Sequence, residues 1–283
     1  SGPAGRVASA LGVGRAVIVG ALADGLPSAA AAIAFYALSS LVPAISVLIS
    51  VYGLLTPPSE VARQLAGLDL PVPGELRAMI VEQAQRIAST STATLSLALA
   101  GSVAIALWGA NAAVKAMFEG LNRMWNLPET RSFFRFTATT LGFTIVAVLT
   151  VAAMLAAAAA RPAVLALAGD RSPPLLAALG WPAMVGLGFA GLVLLYRSGP
   201  DRRPPSPSRQ IPGALAATAA WVATSAAFSW YAATLGSYSA TYGSLAGVVV
   251  VLSWAWLSAI IVLAGGAITA AVERGGPPAS VSR

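Results

Sequence analysis

Hydroxyl groups are the polar side chains that recur within the long apolar segments of this chain. In the first segment, residues spaced three and four apart share one face of a helix. Pro43 on this face removes a backbone hydrogen bond, and a carbonyl freed away from water needs another partner. The face is therefore predicted to point into a bundle, either as ordinary serine and proline packing or as the lining of a polar cavity. It comprises Tyr36, Ser39, Pro43, Ser46 and Ser50.

A second polar face carries an amide and three charges at intervals of four residues, namely Asn111, Lys115, Glu119 and Arg123. Asn111 lies deepest in its apolar segment, where an amide needs a partner or water. Lys115 is close enough to the end of the segment for its ammonium to reach a polar boundary along its apolar stem. Asn111 is therefore the strongest single polar candidate in the chain.

A third hydroxyl-bearing face lies in the fifth apolar segment and includes Ser225 and Ser229. The uncharged turn after it contains Tyr242, in keeping with an aromatic belt at a membrane interface. No carboxylate occupies the middle of an apolar segment, so a proton relay of acidic residues is not visible.

Residue types that make or break bonds are scarce in the sequence. The chain has no Cys and no His, which removes thiolate ligands and the usual neutral-pH base. No phosphate-binding loop, metal-binding carboxylate cluster or nucleophile with an adjacent base is apparent. We therefore expect a protein that is not an enzyme, with no catalytic residue, no metal and no cofactor.

The elements that carry these faces are predicted from hydropathy. Of the 283 residues, 57% are hydrophobic and only 10% are charged, against about 25% charged in soluble domains. About 20 helical residues cross a bilayer, and six segments are long enough. The predicted fold is all-α, a polytopic membrane bundle of six transmembrane helices. The segments are Ser28–Leu55, Thr94–Val114, Phe136–Ala160, Pro174–Tyr196, Ile211–Leu235 and Leu245–Ala271.

Charge orients this bundle. Twelve of the 17 Lys and Arg residues lie in the N-terminal segment, the connections 115–135 and 197–209, and the C-terminus. The positive-inside rule then places both termini in the cytoplasm. Residues 1–27 form a cytoplasmic or interfacial segment, residues 28–272 the six-helix domain and residues 273–283 a cytoplasmic tail.

Two connections have their own predicted structure. Segment 57–92 is expected to form a short extracytoplasmic amphipathic hairpin, because apolar and charged residues alternate at helical spacing. The connection 197–209 is rich in proline and is expected to be an exposed, semi-extended tether.

Three separate motifs, in order, resemble the YihY/BrkB family of bacterial inner-membrane proteins over residues 20–274. The resemblance implies a six-helix inner-membrane protein associated with virulence and serum resistance, suspected of moving lipids or other envelope components. An older ribonuclease label is attached to the family, and it is disfavoured here because the residues for phosphodiester hydrolysis are missing. The motifs are Ala30–Pro43, then Leu107–Ala110 with Leu121–Trp125, then Tyr242–Gly247 with Trp254 and Ala264–Gly266.

The leading functional hypothesis is a transporter or flippase-like protein for an amphipathic lipid or envelope component, with membrane lipids as partners. Nucleic acid is not expected as a partner, and homo-oligomerisation is left open. The alternatives are a non-transporting scaffold for envelope biogenesis and, third, a membrane hydrolase. The candidate substrate path consists of Tyr36, Ser39, Ser40, Pro43, Asn111, Lys115, Ser225, Ser229 and Tyr242.

Overall fold

The computed structural model describes residues 19–21, 25–53, 82, 92–168, 180–203, 205–234 and 244–275. Within these ranges the regular structure is entirely helical, which confirms the predicted all-α class. A short 3₁₀ helix, Pro207–Arg209, precedes the fifth α-helix. The six α-helices are α1 Leu26–Gly53, α2 Thr92–Met124, α3 Phe133–Ala168, α4 Gly180–Ser198, α5 Ile211–Thr234 and α6 Ser244–Arg274.

Each predicted apolar segment coincides with one of these helices. Stretches of α2, α3, α5 and α6 are long and apolar enough to cross a membrane, judged by length and composition. The described parts of α1 and α4 contribute shorter apolar stretches, Leu26–Leu41 and Pro182–Ser198. Four candidate spans are therefore established, while six spans and the orientation of the termini remain predictions.

Several predictions fall outside the described residues. These are the hairpin at 57–92 apart from Glu82 and Thr92, most of the segment 1–27, and most of the tail 273–283. Two helix ends differ clearly from expectation: α2 continues ten residues past Val114 to Met124, and α3 continues eight residues past Ala160 to Ala168. At the end of α2 the reason lies in its charged residues. Hydropathy marks where the apolar stretch ends, but charged residues spaced four apart are good helix formers and prolong the helix.

Small residues bring α1 and α2 together as an antiparallel pair. A Cβ on Gly120 would lie 3.7 Å from Ala29 Cβ, and a Cβ on Gly109 would lie 2.8 Å from Ser40 Cβ. The missing side chain at Gly109 is thus what allows the two backbones to approach. The other main partner of α1 is α6, which also packs along α5 and touches α2 and α4.

The best-buried side chains lie where α2 and α4 end and α6 nears its end. Leu121, Tyr196 and Leu263 are fully buried there and belong to one hydrophobic cluster. We call this the basic end of the bundle: the residues 119–135, 196–211 and 262–275. Hydrogen bonds between these three stretches show that they lie together.

Candidate functional site on the second helix

The last turn of α2 is fixed by a helix-capping motif. Asn126 adopts a left-handed conformation with φ 55°. Its N–H donates to the carbonyl of Arg123, and the N–H of Leu127 donates to the carbonyl of Asn122, both at 2.9 Å. This is the Schellman arrangement, in which Asn is tolerated and a following proline, here Pro128, stops the helix. The turn therefore ends α2 directly after the stretch that contains Leu121 and Asn122.

Two of the sequence motifs pack directly on each other at this turn. A Cβ on Gly266 of α6 would lie 2.6 Å from Leu121 Cδ2 and 3.3 Å from the Trp125 ring. Tyr196 of α4 closes the same contact, and its hydroxyl donates to the carbonyl of Val262 at 2.7 Å. The stretch 121–125 and the Gly pair of α6 are therefore two halves of one interface.

A single carboxylate, Glu273 near the end of α6, accepts hydrogen bonds from three residues in two other chain segments. Trp125 Nε1 donates to Glu273 Oε2 at 2.7 Å, and Arg202 Nη2 donates to Oε1 at 2.7 Å. Gln210, which is fully buried, donates to the same Oε1 at 3.1 Å. The Arg202 guanidinium also lies 5.2 Å from the centre of the Trp125 ring. Glu273 thus ties α2, α6 and both ends of the connection before α5.

Asp201, which precedes Arg202 in the sequence, ties the same connection to α2 and to the segment between α2 and α3. Its backbone N–H donates to Asn122 Oδ1 at 2.8 Å, and its carboxylate accepts hydrogen bonds from the N–H and the hydroxyl of Thr130. Asn122 Nδ2 donates to Glu129 at 2.9 Å, and Glu129 forms a two-point ion pair with Arg131. Adjacent residues of opposite charge, Asp201 and Arg202, therefore hold the connection on two sides.

The electrostatics of these carboxylates follow from their partners. Hydrogen bonds from Thr130 lower the pKa of Asp201 more than its burial raises it, and the nearby Arg131 charge adds to the lowering. Burial raises the pKa of Glu129, but the hydrogen bonds and charge of Arg131 and the hydrogen bond of Asn122 outweigh it, so the net shift is downward. Both groups are favoured in their charged form.

The connection 197–209 is only in part the exposed tether predicted from its prolines: Arg203, Ser206, Ser208 and Arg209 are exposed, but Asp201 and Arg202 pair with other segments. Gly199, Pro200 and Gln210 are buried, and Arg197 donates to the carbonyl of Pro205 at 3.1 Å. Prolines exclude a long helix here, as expected, but they do not prevent side chains and backbone groups from pairing with other segments. Sequence reasoning missed the paired part because the partners of Asp201 and Arg202 lie 71 to 79 residues away in the sequence.

Lys115 lies on the face of α2 that meets α3. Its ammonium donates to Thr137 Oγ1 at 3.1 Å and sits 5.4 Å from the centre of the Phe133 ring. Phe133 is the first residue of α3, so the ammonium is directed toward the basic end, as a snorkelling lysine would be. Among the described residues no carboxylate forms an ion pair with Lys115, and Glu119 is exposed.

Asn111 lies one turn from Lys115, on the side away from the basic end. Its Oδ1 is buried and has no hydrogen-bond partner among the described residues. A buried amide oxygen without a partner costs about 1–3 kcal/mol. The sequence therefore identified a polar group that the rest of the described structure leaves unsatisfied.

The candidate residues of α1 adjoin this region from the other side of α2. Ser40 is buried against Gly109, and its hydroxyl donates to the carbonyl of Ala37 at 2.9 Å. Ser39 is exposed and its hydroxyl donates within its own helix to Phe35. Tyr36 and Pro43 are half-buried.

The candidate residues of α5 belong to a different packing group. That helix packs mainly on α6 and α4, where Trp221 Nε1 donates to Ser258 Oγ at 3.1 Å. Ser225 is half-buried and Ser229 is exposed. Tyr242 lies outside the described residues. The structure thus packs α1 against α2 at Ser40 and Gly109, but no described hydrogen bond joins the candidates of α1 to Asn111 or Lys115. The helix that carries the candidates of α5 packs on α6 and α4 instead.

Sequence reasoning missed the hub residues Glu273, Asp201 and Gln210. One signal was available: Glu273 is a lone carboxylate that directly follows a long apolar helix. Charged residues at such positions usually mark a membrane boundary, which hides their role as a hydrogen-bond acceptor for distant segments.

Comparisons with known proteins place these features in a family. The chain is 28% identical over 175 residues to the "Putative ribonuclease-like protein YfkH" of Bacillus subtilis (strain 168). That match covers 60% of this chain and 63% of the relative, so the chain spans somewhat less than two thirds of the relative's length. No solved structure matches. A family model described as "Virulence factor BrkB" matches residues 17–281, nearly the whole chain, and with its apolar helices the protein is a membrane protein that belongs to the BrkB family.

Proposed function

We propose that this BrkB-family membrane protein is a transporter or flippase-like protein for an amphipathic lipid or envelope component. The observation that carries the proposal is the buried Oδ1 of Asn111, which has no hydrogen-bond partner among the described residues. One turn away on the same face of α2, the Lys115 ammonium forms no ion pair with a described carboxylate. A buried acceptor followed by a cation provides successive contacts for a headgroup that crosses an otherwise apolar bundle.

The uncharged character of the deeper contacts supports a headgroup as the substrate rather than a small ion. Hydroxyl and amide groups exchange hydrogen bonds with a sugar, glycerol or phosphate ester without the desolvation cost of a fixed charge. Acyl chains need no protein path, because they remain in the bilayer. The exposed apolar side chains of α3 next to Lys115, such as Leu141 and Ile145, offer such a lipid-facing border.

The proposal includes a location and an orientation. We place the protein in a bacterial inner membrane, with the basic end facing the cytoplasm, because basic residues are retained on that side. Lys115 is then near the inner leaflet and Asn111 is deeper. Cysteine labelling tests this, since the sequence contains no native Cys. Arg203→Cys should react with a membrane-impermeant maleimide in inverted inner-membrane vesicles, where the cytoplasmic side faces outward, but not in right-side-out vesicles.

Reconstitution into liposomes with fluorescent lipids tests the transport step. In vesicles that contain the wild-type chain, labelled lipid from the inner leaflet should become accessible to an external quencher faster than in empty vesicles. Asn111→Leu should abolish this acceleration. Thr218→Val is the matched control, because Thr218 Oγ1 is another buried atom without a partner among the described residues, but it lies on α5. Equal rates for empty and loaded vesicles across several lipid classes would overturn the proposal.

The scaffold alternative makes the opposite prediction for the same variant. A non-transporting assembly factor should tolerate Asn111→Leu and lose function when its membrane-external segments are changed. We also infer that the chain is not a nuclease, because phosphodiester hydrolysis needs a metal cluster or a general acid and base. The sequence has no His, and the described residues contain no cluster of carboxylates that could hold a metal. RNA incubated with the purified protein should therefore remain intact, and cleavage that disappears on changing one carboxylate would contradict this.

A further inference from the structure

Three described cations lie over aromatic rings: Arg131 and Arg202 at the basic end, and Lys115 one helical turn before it. The two at the basic end are also paired with a carboxylate. Arg131 lies 5.5 Å and 5.2 Å from the ring centres of Phe118 and Phe136, and its Nε is 2.6 Å from Glu129. Arg202 over Trp125 is paired with Glu273 at 2.7 Å in the same way. In both cases the ring and the carboxylate together compensate a largely buried charge.

Lys115 repeats this arrangement without the carboxylate. Its ammonium has the Phe133 ring and one hydroxyl acceptor, Thr137, but no anionic partner among the described residues. An ammonium has three N–H donors, so two remain for a group from outside the chain. Glu119 is one turn away on the same helix, yet it is exposed and forms no ion pair with Lys115.

From the surroundings of Lys115 we infer that the missing anion is the phosphate of an anionic phospholipid, held between α2 and α3. The inference rests on the proposed function, whose substrate class it names. Phe133 is 71% exposed and Phe134 is 83% exposed, so bare aromatic rings flank the ammonium. Such rings favour the boundary between lipid headgroups and acyl chains. A soluble anion would gain nothing from them, whereas a phospholipid covers the rings with its acyl chains while its phosphate meets the ammonium.

The sign of the surrounding charge selects among phospholipids. Arg123 and Arg135 are exposed at the same end, and no described carboxylate pairs with either. A zwitterionic headgroup would bring its own ammonium toward these cations, but a headgroup with net negative charge would not. Each basic residue near an anionic lipid surface contributes about 1 kcal/mol, which corresponds to about five-fold in affinity.

Retention of lipids by the purified full-length chain tests this site. The probes are phosphatidylglycerol and phosphatidylethanolamine, supplied as an equimolar mixture and counted on the protein by native mass spectrometry. We expect the wild-type chain to retain phosphatidylglycerol preferentially and Lys115→Gln to lower that preference about five-fold. Lys115→Arg should keep most of it. Arg203→Gln is the control, an exposed cation that belongs to neither α2 nor α3, and it should leave the preference within the scatter of repeated measurements.

The outcomes separate this inference from the proposed function. Equal retention of the two lipids by the wild-type chain, or equal effects of Lys115→Gln and Arg203→Gln, would overturn the lipid site even if transport is observed. Retention that depends on Lys115 in a protein that moves no lipid would support the site and count against transport. The circular dichroism of each variant in the same detergent shows whether it has folded.

Discussion

The basic end and the middle of α2 treat polar groups in opposite ways. At the basic end, Glu273 accepts hydrogen bonds from three residues in two other segments, and Asp201 and Glu129 are similarly paired. Two to three turns further into the bundle, Lys115 has no described anion and Asn111 Oδ1 has no described partner. Polar groups that are all paired stabilise one arrangement of the chain, whereas polar groups without a described partner can still form hydrogen bonds with a bound molecule. The difference assigns stability to the first region and, by our proposal, substrate contact to the second.

The basic end has unsatisfied atoms of its own, and they do not change this contrast. Arg202 Nε and Gln210 Oε1 are buried without described partners. Each side chain nevertheless donates to Glu273 through its other atoms, so each is held in place. The oxygen of Asn111 belongs to a side chain for which no described hydrogen bond fixes the position.

The largest effect is expected at the hub of the basic end. Glu273→Ala removes an acceptor of three hydrogen bonds and leaves the largely buried Arg202 without its counter-ion. Removing one partner of a buried ion pair costs about 3–5 kcal/mol, so the free energy of unfolding in detergent should fall by about 3 kcal/mol. Glu119→Ala, at an exposed carboxylate, should change it by less than about 0.5 kcal/mol. A similar small loss for both variants would show that the network does not stabilise the fold.

A second large effect is expected where the two motifs meet. Gly266→Leu would force a side chain into Leu121 and Trp125, since even a Cβ would lie 2.6 Å from Leu121 Cδ2. Overpacking of this kind costs about 1–3 kcal/mol, which should appear as a lower unfolding midpoint on thermal denaturation. Gly186→Ala on α4 is the control, because nothing lies within 4 Å of its new Cβ. An unshifted midpoint for Gly266→Leu would mean that the helices separate easily here.

At Asn111 the stability effect should be smaller and of opposite sign. Asn111→Leu removes a buried oxygen without a described partner, so the free energy of unfolding should stay level or rise by about 1 kcal/mol. The same variant should lose lipid transport in liposomes. Loss of stability comparable to that of Glu273→Ala would contradict the contrast between the two regions, because it would show that Asn111 is part of the packed framework.

The smallest effect concerns acidification of the basic end. The pKa of Asp201 is lower in the folded chain than in the unfolded chain because Thr130 donates to it. Its contribution to stability is therefore present above the ordinary Asp pKa of about 3.9 and is lost as the pH falls through the lower folded value. Unfolding midpoints measured from pH 7 downward should fall less steeply for Asp201→Asn than for wild type. Identical slopes would show that Asp201 does not titrate with folding.

Hydropathy predicted the helices well because helix formation in an apolar segment depends on local composition and length. The segments at Ile211 and Leu245 were placed within a few residues of the observed helices α5 and α6. The end of α2 was placed too early because the apolar stretch ends before the helix does. The family motifs were also identified from sequence, but not their mutual contacts: Ser40 meets Gly109, and Leu121 and Trp125 meet Gly266.

For the polar face of α2, the sequence predicted which residues share the face but not which groups they contact. Periodicity alone places Asn111 and Lys115 on one face of α2, because the spacing of four residues fixes it. Whether either group has a partner depends on α3, which begins 22 residues after Asn111. Only the packed structure shows that Lys115 reaches Thr137 and Phe133 and that it does not pair with Glu119.

By itself, the sequence determined that the chain is an all-helical membrane protein with a basic end, and which polar residues share a helix face. Those properties follow from the cost of exposing apolar side chains and from helical periodicity, both of which act over neighbouring residues. Only the tertiary structure decided that the proline-rich connection is tied down by Asp201 and Arg202 and that Glu273 is the hub of the basic end. Hydrogen bonds between residues 60 to 150 positions apart depend on how the helices pack, and no local pattern in the sequence encodes that packing.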